Sequence, residues 1–522
     1  MVGTFPNELK NLLRAQAYPH PADSIVLVET HISWVLLAGE FAYKIKRPVG
    51  LAFVDQRSLE RRYFLCQEEL RLNRRFAPQL YLEVVGVTQR NGEAQIGGEG
   101  PAIEYAVRML RFDRSQELDR LLASGGIDPA ELERFGYRMA ELQSELPRTS
   151  LTDPWGQPGA VQDLILKNFE ETLRAAGPIG SGREIEALRA PLLRKLDSTR
   201  RSLQQRREAG FVREGHGDLH ARNIARIDGE LLAFDCVEFE PSFRWIDVAD
   251  EASLLLMDLE ARGSPLHAHA FWDGYLQQSG DYGGHRVLDL YKAHRALVRA
   301  KVAALTIARS EASEDQALLE EHRALLRRAH LALAPRKVLL LLIAGVSGSG
   351  KSWLARRLAP ALQMTHVRSD VERKRLGCLE LTERSSSDLG QNLYSPAMTD
   401  AVYARLRECA GAILSGGHSA LIDATFSMRA MRQRFVTLAA RLGIRVGMIQ
   451  CKAALPILRA RLAERRRAGQ DASEADDRVL DWQLQRLEPV EPDEGIEVIE
   501  IDTTRPDLVA FAKLEIGRTF LA

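Results

Sequence analysis

The stretch VLLLLIAGVSGSGKS, residues 338–352, decides the fold of the C-terminal part of the chain. It opens with six apolar residues, Val338 to Ile343, which are too few to span a membrane and predict a buried strand. A glycine-rich turn with the pattern G-x-x-x-x-G-K-S follows, and then the helix-like run WLARRLAPAL. A strand before this pattern and a helix after it form the setting of a phosphate-binding loop. The stretch therefore indicates a nucleoside triphosphate site, and the alternative is a glycine-rich connection without a ligand.

The loop supplies the candidate contacts to phosphate. Glycines let backbone N–H groups approach phosphate oxygens closely, and the N-terminus of the next helix adds its positive dipole end. The lysine is assigned to the β- and γ-phosphates, and the last serine to a Mg²⁺ ion bound to them. The candidate nucleotide-binding residues are Gly345, Val346, Ser347, Gly348, Ser349, Gly350, Lys351 and Ser352.

The composition is that of a globular protein with two or more domains. A chain of 522 residues is too long for one ordinary core. Its 71 basic and 71 acidic residues cancel, which argues against a general affinity for nucleic acid or anionic membranes. The five cysteines are scattered without a C-x-x-C pair, which fits a reducing cytosol. The sequence has no secretory signal and no membrane-spanning apolar run, so we expect a cytoplasmic protein.

The chain before Pro335 changes from a strand pattern to a helical one. A short amphipathic helix over the first 19 residues, several strands and one helix, roughly Leu59 to Phe76, are predicted before residue 115. Helical patterns then dominate, including a stretch over 161–205. Pro335 stops the last of these helices, so we place the domain boundary there, giving domains 1–334 and 335–522.

A second candidate site lies on a loop between two strands, in the segment HGDLHARN. Asp218 and Asn223 belong to this segment, and Asp235 closes the apolar run LLAF twelve residues later. Metal-dependent phosphoryl transfer needs such a set of two carboxylates and an amide. We assign Asp218 to accept the proton of an attacking hydroxyl, and Asn223 and Asp235 to hold Mg²⁺. His216 is predicted to shape the loop rather than react.

With its later aspartate, HGDLHARN resembles the aminoglycoside phosphotransferase and choline kinase group, a branch of the protein-kinase-like fold. The segment FAYK resembles the kinase strand whose lysine contacts the ATP phosphates, which implies Lys44, with Lys46 on the same strand face as the second choice. Glu69 in CQEELRLNRRF resembles the glutamate that pairs with this lysine. RWIDVADEASLLLMDL resembles the helical lobe, with Asp247 bracing the catalytic loop. The resemblance covers roughly residues 25–330.

The chain departs from this group at two points, and the acceptor stays open because acceptor-binding residues cannot be transferred from motifs alone. The first hairpin offers Gly39 but no G-x-G-x-x-G loop, and Cys236 instead of Phe-Gly follows Asp235. The alternative is a degenerate kinase fold that serves as a scaffold for the second domain. The joint presence of five residues favours a working site: Lys44, Glu69, Asp218, Asn223 and Asp235.

After the phosphate-binding loop, the chain resembles the small-molecule P-loop kinases, the gluconate kinase, zeta-toxin and polynucleotide kinase group. In MTHVRSDVERKRL a strand-like segment ends at Asp370, and the resemblance implies that this carboxylate orients or deprotonates the acceptor hydroxyl. Arg368 and Arg373 are candidate contacts to phosphate or acceptor. Capping of the next helix by Ser369 and Asp370 is the alternative, and the two roles are compatible.

Two further segments extend this second resemblance. Asp423 ends the apolar run of SALIDATF and is a candidate Mg²⁺ ligand through water, the alternative being a cap of the next turn. ILRARLAERRRAGQDASEADDRVLDWQL resembles the lid of the group, with Arg461 and Arg465 on one helix face as candidate phosphate contacts. A solvated arginine-rich helix is the alternative. Alternating strands and helices predict a doubly wound parallel sheet.

The sequence thus predicts a fold of class α/β and α+β, in which a bilobal protein-kinase-like domain precedes a doubly wound P-loop domain. The resemblance implies an ATP- and Mg²⁺-dependent kinase with two nucleotide sites, whose partners are ATP and a small hydroxylated acceptor. One alternative is a nucleotide-regulated switch or scaffold with one degenerate kinase domain. Another is a nucleic-acid end kinase, against which the lack of a long basic, aromatic-interleaved stripe argues. The acceptors and the oligomeric state stay open.

Overall fold

The computed structural model describes residues 5–51, 54–308, 315–380, 383, 393, 395–468 and 476–521. These residues pack as two compact units. Unit 1 comprises Met1–Ile185, Arg200–Ser264 and His294–Arg328. Unit 2 comprises Glu186–Thr199, Pro265–Ala293 and Ala329–Ala522. Among the described residues, no helix combines the length and apolar character needed to cross a membrane.

The secondary structure follows the predicted order of strands and helices. The strands are β1 (Ile25–Glu29), β2 (Ser33–Ala38), β3 (Phe41–Lys46), β4 (Gly50–Leu51), β5 (Val54–Asp55), β6 (Tyr81–Arg90), β7 (Glu93–Ile96), β8 (Glu104–Leu110), β9 (Val212–Glu214), β10 (Ile224–Ile227), β11 (Glu230–Ala233), β12 (Trp245–Asp247), β13 (Leu339–Ala344), β14 (Thr365–Arg368), β15 (Ala420–Asp423), β16 (Arg445–Lys452) and β17 (Glu497–Asp502). The α-helices are α1 (Leu59–Phe76), α2 (Leu118–Ser124), α3 (Pro129–Glu145), α4 (Pro158–Ala176), α5 (Gly182–Glu186), α6 (Arg189–Glu208), α7 (Pro241–Arg244), α8 (Val248–Ala261), α9 (Pro265–Ser279), α10 (His285–Ile307), α11 (Asp315–Leu333), α12 (Lys351–Ala361), α13 (Ser369–Leu376), α14 (Pro396–Ser415), α15 (Arg429–Leu442), α16 (Leu455–Ala468), α17 (Asp477–Gln485) and α18 (Leu508–Ile516).

Unit 1 is built on a six-stranded antiparallel sheet in the order β1-β2-β3-β8-β6-β7. Because side chains alternate along a strand, β3 directs Tyr43 and Ile45 to one face and Lys44 and Lys46 to the other. The first pair belongs to the apolar core beside β1 and β2. The second pair faces α1, which carries Glu69. This sheet with its helix and the helical remainder of the unit confirm the predicted protein-kinase-like fold.

Helix α1 has the bounds predicted from the sequence. The Ser58 hydroxyl caps it by accepting the Arg61 N–H at 3.2 Å, and Pro78 follows shortly after its end.

Three local predictions differ from the structure. The first 19 residues form two 3-10 helices, Asn7–Leu13 and Ala15–Ala17, instead of one amphipathic α-helix. Strand β7, which the sequence analysis did not predict, pairs with β6 across the turn at Asn91-Gly92. The helical stretch over 161–205 is divided among α4, α5 and α6.

Unit 2 contains a five-stranded parallel sheet in the order β14-β15-β13-β16-β17. The central strand β13 is buried along its whole length, as its apolar sequence predicts. Ile343 at its end lies beside Asp423 of β15, which lies beside Arg368 of β14. Ligands of such sheets bind at the carboxyl ends of the strands. The predicted doubly wound P-loop fold is confirmed, and its candidate residues meet at this edge.

Unit 2 also includes helix α9, which comes from before Pro335. A ring nitrogen of His269 in α9 hydrogen-bonds the Met364 carbonyl at 3.1 Å. The Arg375 guanidinium of α13 donates to the carbonyls of Gln277 and Gln278. These contacts hold α9 beside β14 and α13 within the unit. The domain boundary near Pro335 stays a prediction.

Candidate functional site

The P-loop joins β13 to α12 in a shape that depends on its glycines. Gly348 and Gly350 have φ angles of 81° and 86°, in the left-handed region that favours glycine. A Cβ on Gly348 would lie 2.6 Å from the Leu458 carbonyl oxygen, so α16 packs directly on the loop backbone. The Ser349 N–H closes the turn by donating to the Val346 carbonyl at 3.1 Å. The predicted phosphate loop is therefore a tight, supported turn that leads into a helix N-terminus.

Asp423 is a buried carboxylate beside this loop. Burial alone would raise the pKa of Asp423, but the His366 ring, the Lys351 ammonium and the Ser352 hydroxyl lower it to about 2. Its Oδ2 lies 3.4 Å from His366 Nε2. Its Oδ1 is buried and has no hydrogen-bond partner among the described residues. An ionised carboxylate with an open oxygen next to a hydroxyl fits the oxygen ligands that Mg²⁺ prefers. The sequence analysis did not identify His366, because a lone histidine in an apolar strand indicates no particular role.

One cavity next to the P-loop brings together residues that are distant in the sequence. Ser347 and Lys351 line it from the loop, Asp370 and Arg373 from α13, and Gln483 from α17. The candidate base Asp370 and the candidate phosphate ligand Lys351 therefore border the same space. An acceptor in this cavity would have a carboxylate and an ammonium within reach.

The capping role considered for Ser369 and Asp370 is wrong. Helix α13 begins at Ser369, its N-cap is Arg368, and no side chain caps it by a hydrogen bond. Both residues therefore lie in the first turn of the helix rather than before it. Arg368 is buried at the end of β14, and Arg373 donates to the Leu393 carbonyl at 2.8 Å.

Helix α16 carries the two arginines of the predicted lid. Arg461 donates to the Gly348 carbonyl at 3.3 Å and to the Thr503 hydroxyl and carbonyl at 2.9 and 3.0 Å. Its guanidinium thus connects the P-loop backbone to the end of β17. Arg465 lies in the last turn of the helix and is half-buried. The lid prediction also covers 469–475, which lie outside the described residues.

The candidate site of unit 1 centres on Glu69, whose carboxylate joins two lysines. Lys44 Nζ lies 2.8 Å from Glu69 Oε1, and Lys46 Nζ lies 2.5 Å from Oε2. Lys44 is also bonded to Asp235, and Lys46 to Glu238. Burial opposes ionisation of the lysines, but these carboxylates raise the pKa of both above its usual value. Lys44 and Glu69 therefore come together as the resemblance implies.

The surface exposure distinguishes the two lysines. The Lys46 side chain is fully buried, whereas Lys44 pairs with Asp235, of which 44% of the side chain is exposed. Lys44 is thus the lysine beside an accessible carboxylate. Glu238 is the residue that the sequence analysis missed. It follows Asp235 by three residues. The sequence could have pointed to it, because an acidic residue within the apolar run FDCVEF is unusual.

The loop that carries Asp218 and Asn223 keeps one carboxylate open. The Asn223 amide nitrogen donates to the Asp218 carbonyl at 3.0 Å and lies 3.5 Å from Asp218 Oδ2. In the described part of the chain, no group donates to the Asn223 side-chain oxygen. The Asp218 side chain is 43% exposed, and its Oδ2 lies 3.4 Å from His220 Nε2. His216 is fully buried and its ring bonds the Phe234 carbonyl, which fits the predicted role of shaping the loop.

Asp235 has a φ of 66°, which is rare for a residue with a side chain. Its N–H donates to the Tyr81 hydroxyl at 3.1 Å and helps to hold this conformation. Such conformations cluster at functional sites. Its carboxylate and the free oxygen of Asn223 are the ligands that would hold Mg²⁺ in unit 1.

Asp247 does not brace the loop that carries Asp218 and Asn223, although this was predicted. Its carboxylate pairs with Arg206 at 2.7 and 2.8 Å and caps α8 through the Ala249 N–H at 2.8 Å. The brace is Glu251, one turn further along α8. Glu251 Oε1 accepts the N–H groups of His216 at 2.5 Å and Gly217 at 3.0 Å. The resemblance implied Asp247, and the acidic residue that reaches the loop lies one turn later.

Comparison with known proteins adds relatives for both parts of the chain. The model of a family described as an AAA domain matches residues 340–490. An uncharacterized protein of Mycobacterium tuberculosis is 31% identical over 445 residues, which is 85% of this chain and 87% of that protein. An uncharacterized protein of Mycobacterium bovis has the same identity and coverage. Since 445 residues exceed either unit, this likeness includes residues of both.

Solved kinase structures are also similar to parts of the chain. A gluconokinase from Sinorhizobium meliloti is 19% identical with a TM-score of 0.24, and the match covers 35% of this chain and 94% of that one. A choline/ethanolamine kinase family protein from Mesorhizobium loti is 12% identical with a TM-score of 0.34, and the match covers 60% of this chain and 93% of that one.

Proposed function

The chain belongs to the same family as the uncharacterized Mycobacterium tuberculosis protein, and for this member we propose the activity of an ATP- and Mg²⁺-dependent phosphotransferase that acts on small hydroxylated molecules. The observation that carries the proposal is the cavity that Lys351 of the P-loop shares with Asp370 of α13. A P-loop explains the binding of a triphosphate, and a carboxylate in the same cavity explains its transfer to a hydroxyl group.

Each candidate residue of this site has one role in the proposed reaction. The acceptor oxygen attacks the γ-phosphorus, the bond from that phosphorus to the β–γ bridging oxygen breaks, and ADP leaves. Asp370 accepts the proton of the acceptor hydroxyl. Lys351 and the loop N–H groups stabilise the charge on the phosphate oxygens. Ser352 and Asp423 would hold Mg²⁺, which would neutralise charge on the phosphates.

A separate cleft supports ATP as the donor. It is lined by Gly350 of the loop, Trp353 of α12, and Thr503 and Arg505 after β17. The Trp353 side chain is exposed, and the Arg357 guanidinium lies 3.7 Å from its ring centroid. A flat aromatic surface next to a phosphate loop suits a nucleoside, so we place the base and ribose here.

We place a second phosphate-handling site in unit 1. Its support is the Lys44–Glu69 pair together with Asp218, Asn223 and Asp235. Lys44 bonds Asp235 directly, so a Mg²⁺–nucleotide complex would have to separate this pair by giving each charge a new partner. The rival hypothesis is a scaffold or nucleotide-regulated switch, because the β2–β3 hairpin offers Gly39 without a glycine-rich phosphate loop.

ADP release with a panel of sugars, amino alcohols and aminoglycosides tests the proposal and separates the rivals. Asp370→Asn should lower turnover of the acceptor used by unit 2, and Asp218→Asn that of the acceptor used by unit 1. Asp163→Asn, an exposed carboxylate of α4, is the matched control and should have no effect. If Asp218→Asn changes no acceptor's turnover, unit 1 is a scaffold. If neither variant nor Lys351→Ala changes ADP release, the chain is not a kinase.

A further inference from the structure

One backbone donor of the P-loop is bound by a side chain from a distant helix. The Ser347 N–H donates to Gln483 Oε1 at 2.7 Å, across 136 residues of sequence, and both residues are buried. Ser347 is the third residue of the loop, in the part that lines the cavity shared with Asp370. A side chain from outside the P-loop motif, that of Gln483, is therefore bonded to the loop backbone.

Packing fixes Gln483 on a regular helix. Helix α17 is capped by Asp476, whose carboxylate accepts the Val479 N–H at 3.0 Å. Leu480 is fully buried and packs against Val346 of the loop and Leu458 and Leu462 of α16. Gln483 lies on the same face one turn later. A side chain held by a packed helix keeps its position better than one on a loop.

The other end of the Gln483 amide is available to a ligand. Its oxygen is engaged by Ser347, and its Nε2 donates to no acceptor among the residues that the structure describes. Gln483 borders the cavity with Lys351 and Asp370. Since the amide is planar and its oxygen is bound to the loop, its two N–H bonds point away from Ser347.

We propose that Gln483 is a catalytic residue of the P-loop site, whose side-chain N–H group donates to an oxygen of the phosphoryl group in transit while its carbonyl oxygen holds Ser347. This inference rests on the proposed function. A hydrogen-bond donor suits this position because the oxygens of the phosphoryl group carry negative charge while the group moves from the γ-phosphate position to the acceptor. A side chain without a donor here would leave that charge less stabilised.

Two substitutions separate the catalytic role from a structural one. Gln483→Glu keeps an oxygen acceptor for the Ser347 N–H but replaces the amide donor with a negative charge. Gln483→Leu removes both. We expect Gln483→Glu to lower kcat about 100-fold or more, the usual effect of losing one such donor, at a KM for ATP close to that of the wild type. A purely structural glutamine predicts that any loss of kcat in Gln483→Glu comes with a lower unfolding midpoint or a higher KM for ATP.

The matched control is Gln485→Glu, which adds the same charge to an exposed position of the same helix. It should leave kcat unchanged. Thermal unfolding midpoints of all three variants show whether any loss comes from misfolding. If Gln483→Glu and Gln485→Glu are equally active, the proposal is overturned.

A binding measurement tests the same point without the acceptor. The full chain is titrated with Mg²⁺–ADP alone and with aluminium fluoride, which mimics the phosphoryl group in transit, and Lys351→Ala identifies the binding event that belongs to the P-loop. Gln483→Glu should reduce the affinity gained from aluminium fluoride at least tenfold and leave ADP binding unchanged. Equal gains with and without the substitution overturn the inference alone. No gain in the parent protein, together with unaltered ADP binding in Lys351→Ala, removes the proposed function and this inference with it.

Discussion

In unit 1 the candidate site consists of side-chain charges that neutralise one another, whereas in unit 2 it consists mainly of backbone N–H groups and one lysine. Lys44 and Lys46 each bond Glu69 and a second carboxylate. Lys351 of the P-loop has no carboxylate within ion-pair distance among the described residues. The lysines of the first site are bonded to carboxylates before a ligand arrives, whereas Lys351 influences Asp423 without an ion pair among the described residues.

This difference predicts that the charges of unit 1 contribute mainly to folding stability and the lysine of unit 2 mainly to ligand binding. A charge that is buried and paired strongly destabilises the fold when its partner is removed. A cation beside a preformed loop that no carboxylate bonds directly contributes less to folding and acts mainly when an anion binds. The same type of substitution should therefore unfold one unit and leave the other folded but unable to bind. Three experiments examine this contrast, beginning with the largest expected effect.

Glu69→Gln should destabilise unit 1 strongly. It removes the carboxylate that joins two lysines, and Glu69 and Lys46 are fully buried. Breaking a buried ion pair typically costs about 3–5 kcal/mol of unfolding free energy. Urea unfolding followed by tryptophan fluorescence measures this loss. Glu60→Gln, an exposed carboxylate in the first turn of the same helix, should change stability by less than about 0.5 kcal/mol. Equal effects of the two substitutions would show that the lysines are stabilised without Glu69.

Lys351→Ala should leave the fold intact and weaken nucleotide binding to unit 2. A hydrogen bond from a charged group is worth about 1.5–3 kcal/mol, which corresponds to roughly 10- to 150-fold in affinity. Calorimetry with Mg²⁺–ATP on the full chain should show two sites in the wild type and the loss of one in the variant. A single site in the wild type would contradict the two-site prediction. The unfolding midpoint should match that of the wild type, in contrast to Glu69→Gln.

The features of the two sites that depend on neighbouring residues in the sequence could be predicted. The P-loop pattern sits between an apolar strand and a helix, and the bounds of α1 follow from its pattern, so both were predicted from neighbouring residues. Lys44 and Glu69 were found because the kinase resemblance pairs them. The contacts of Glu238 with Lys46 and of Gln483 with Ser347 join residues 192 and 136 positions apart. Such pairs depend on how elements pack, and no short pattern specifies them.

The residue that braces the loop of Asp218 and Asn223 shows the same limit on a smaller scale. Asp247 and Glu251 lie one turn apart, and both are buried acids of α8 or its cap. Only their direction relative to the loop decides which one accepts its N–H groups. The sequence places both near the loop, and the packing of α8 selects between them.

Asp423→Asn should have the smallest effect of the three. We expect its effect to be confined to the binding of Mg²⁺. The buried Oδ1 of Asp423 has no partner among the described residues, whereas in unit 1 an oxygen of Asp235 is already bonded to Lys44. Loss of the charge should raise the Mg²⁺ concentration for half-maximal ADP release by about tenfold, or about 1.4 kcal/mol, at an unchanged affinity for metal-free nucleotide. Glu500→Gln, an exposed carboxylate on β17, is the control and should not shift the Mg²⁺ dependence. An unchanged Mg²⁺ dependence in folded Asp423→Asn would make Asp423 a strand-end residue without a metal role, and the open oxygen of unit 2 would no longer distinguish the two sites.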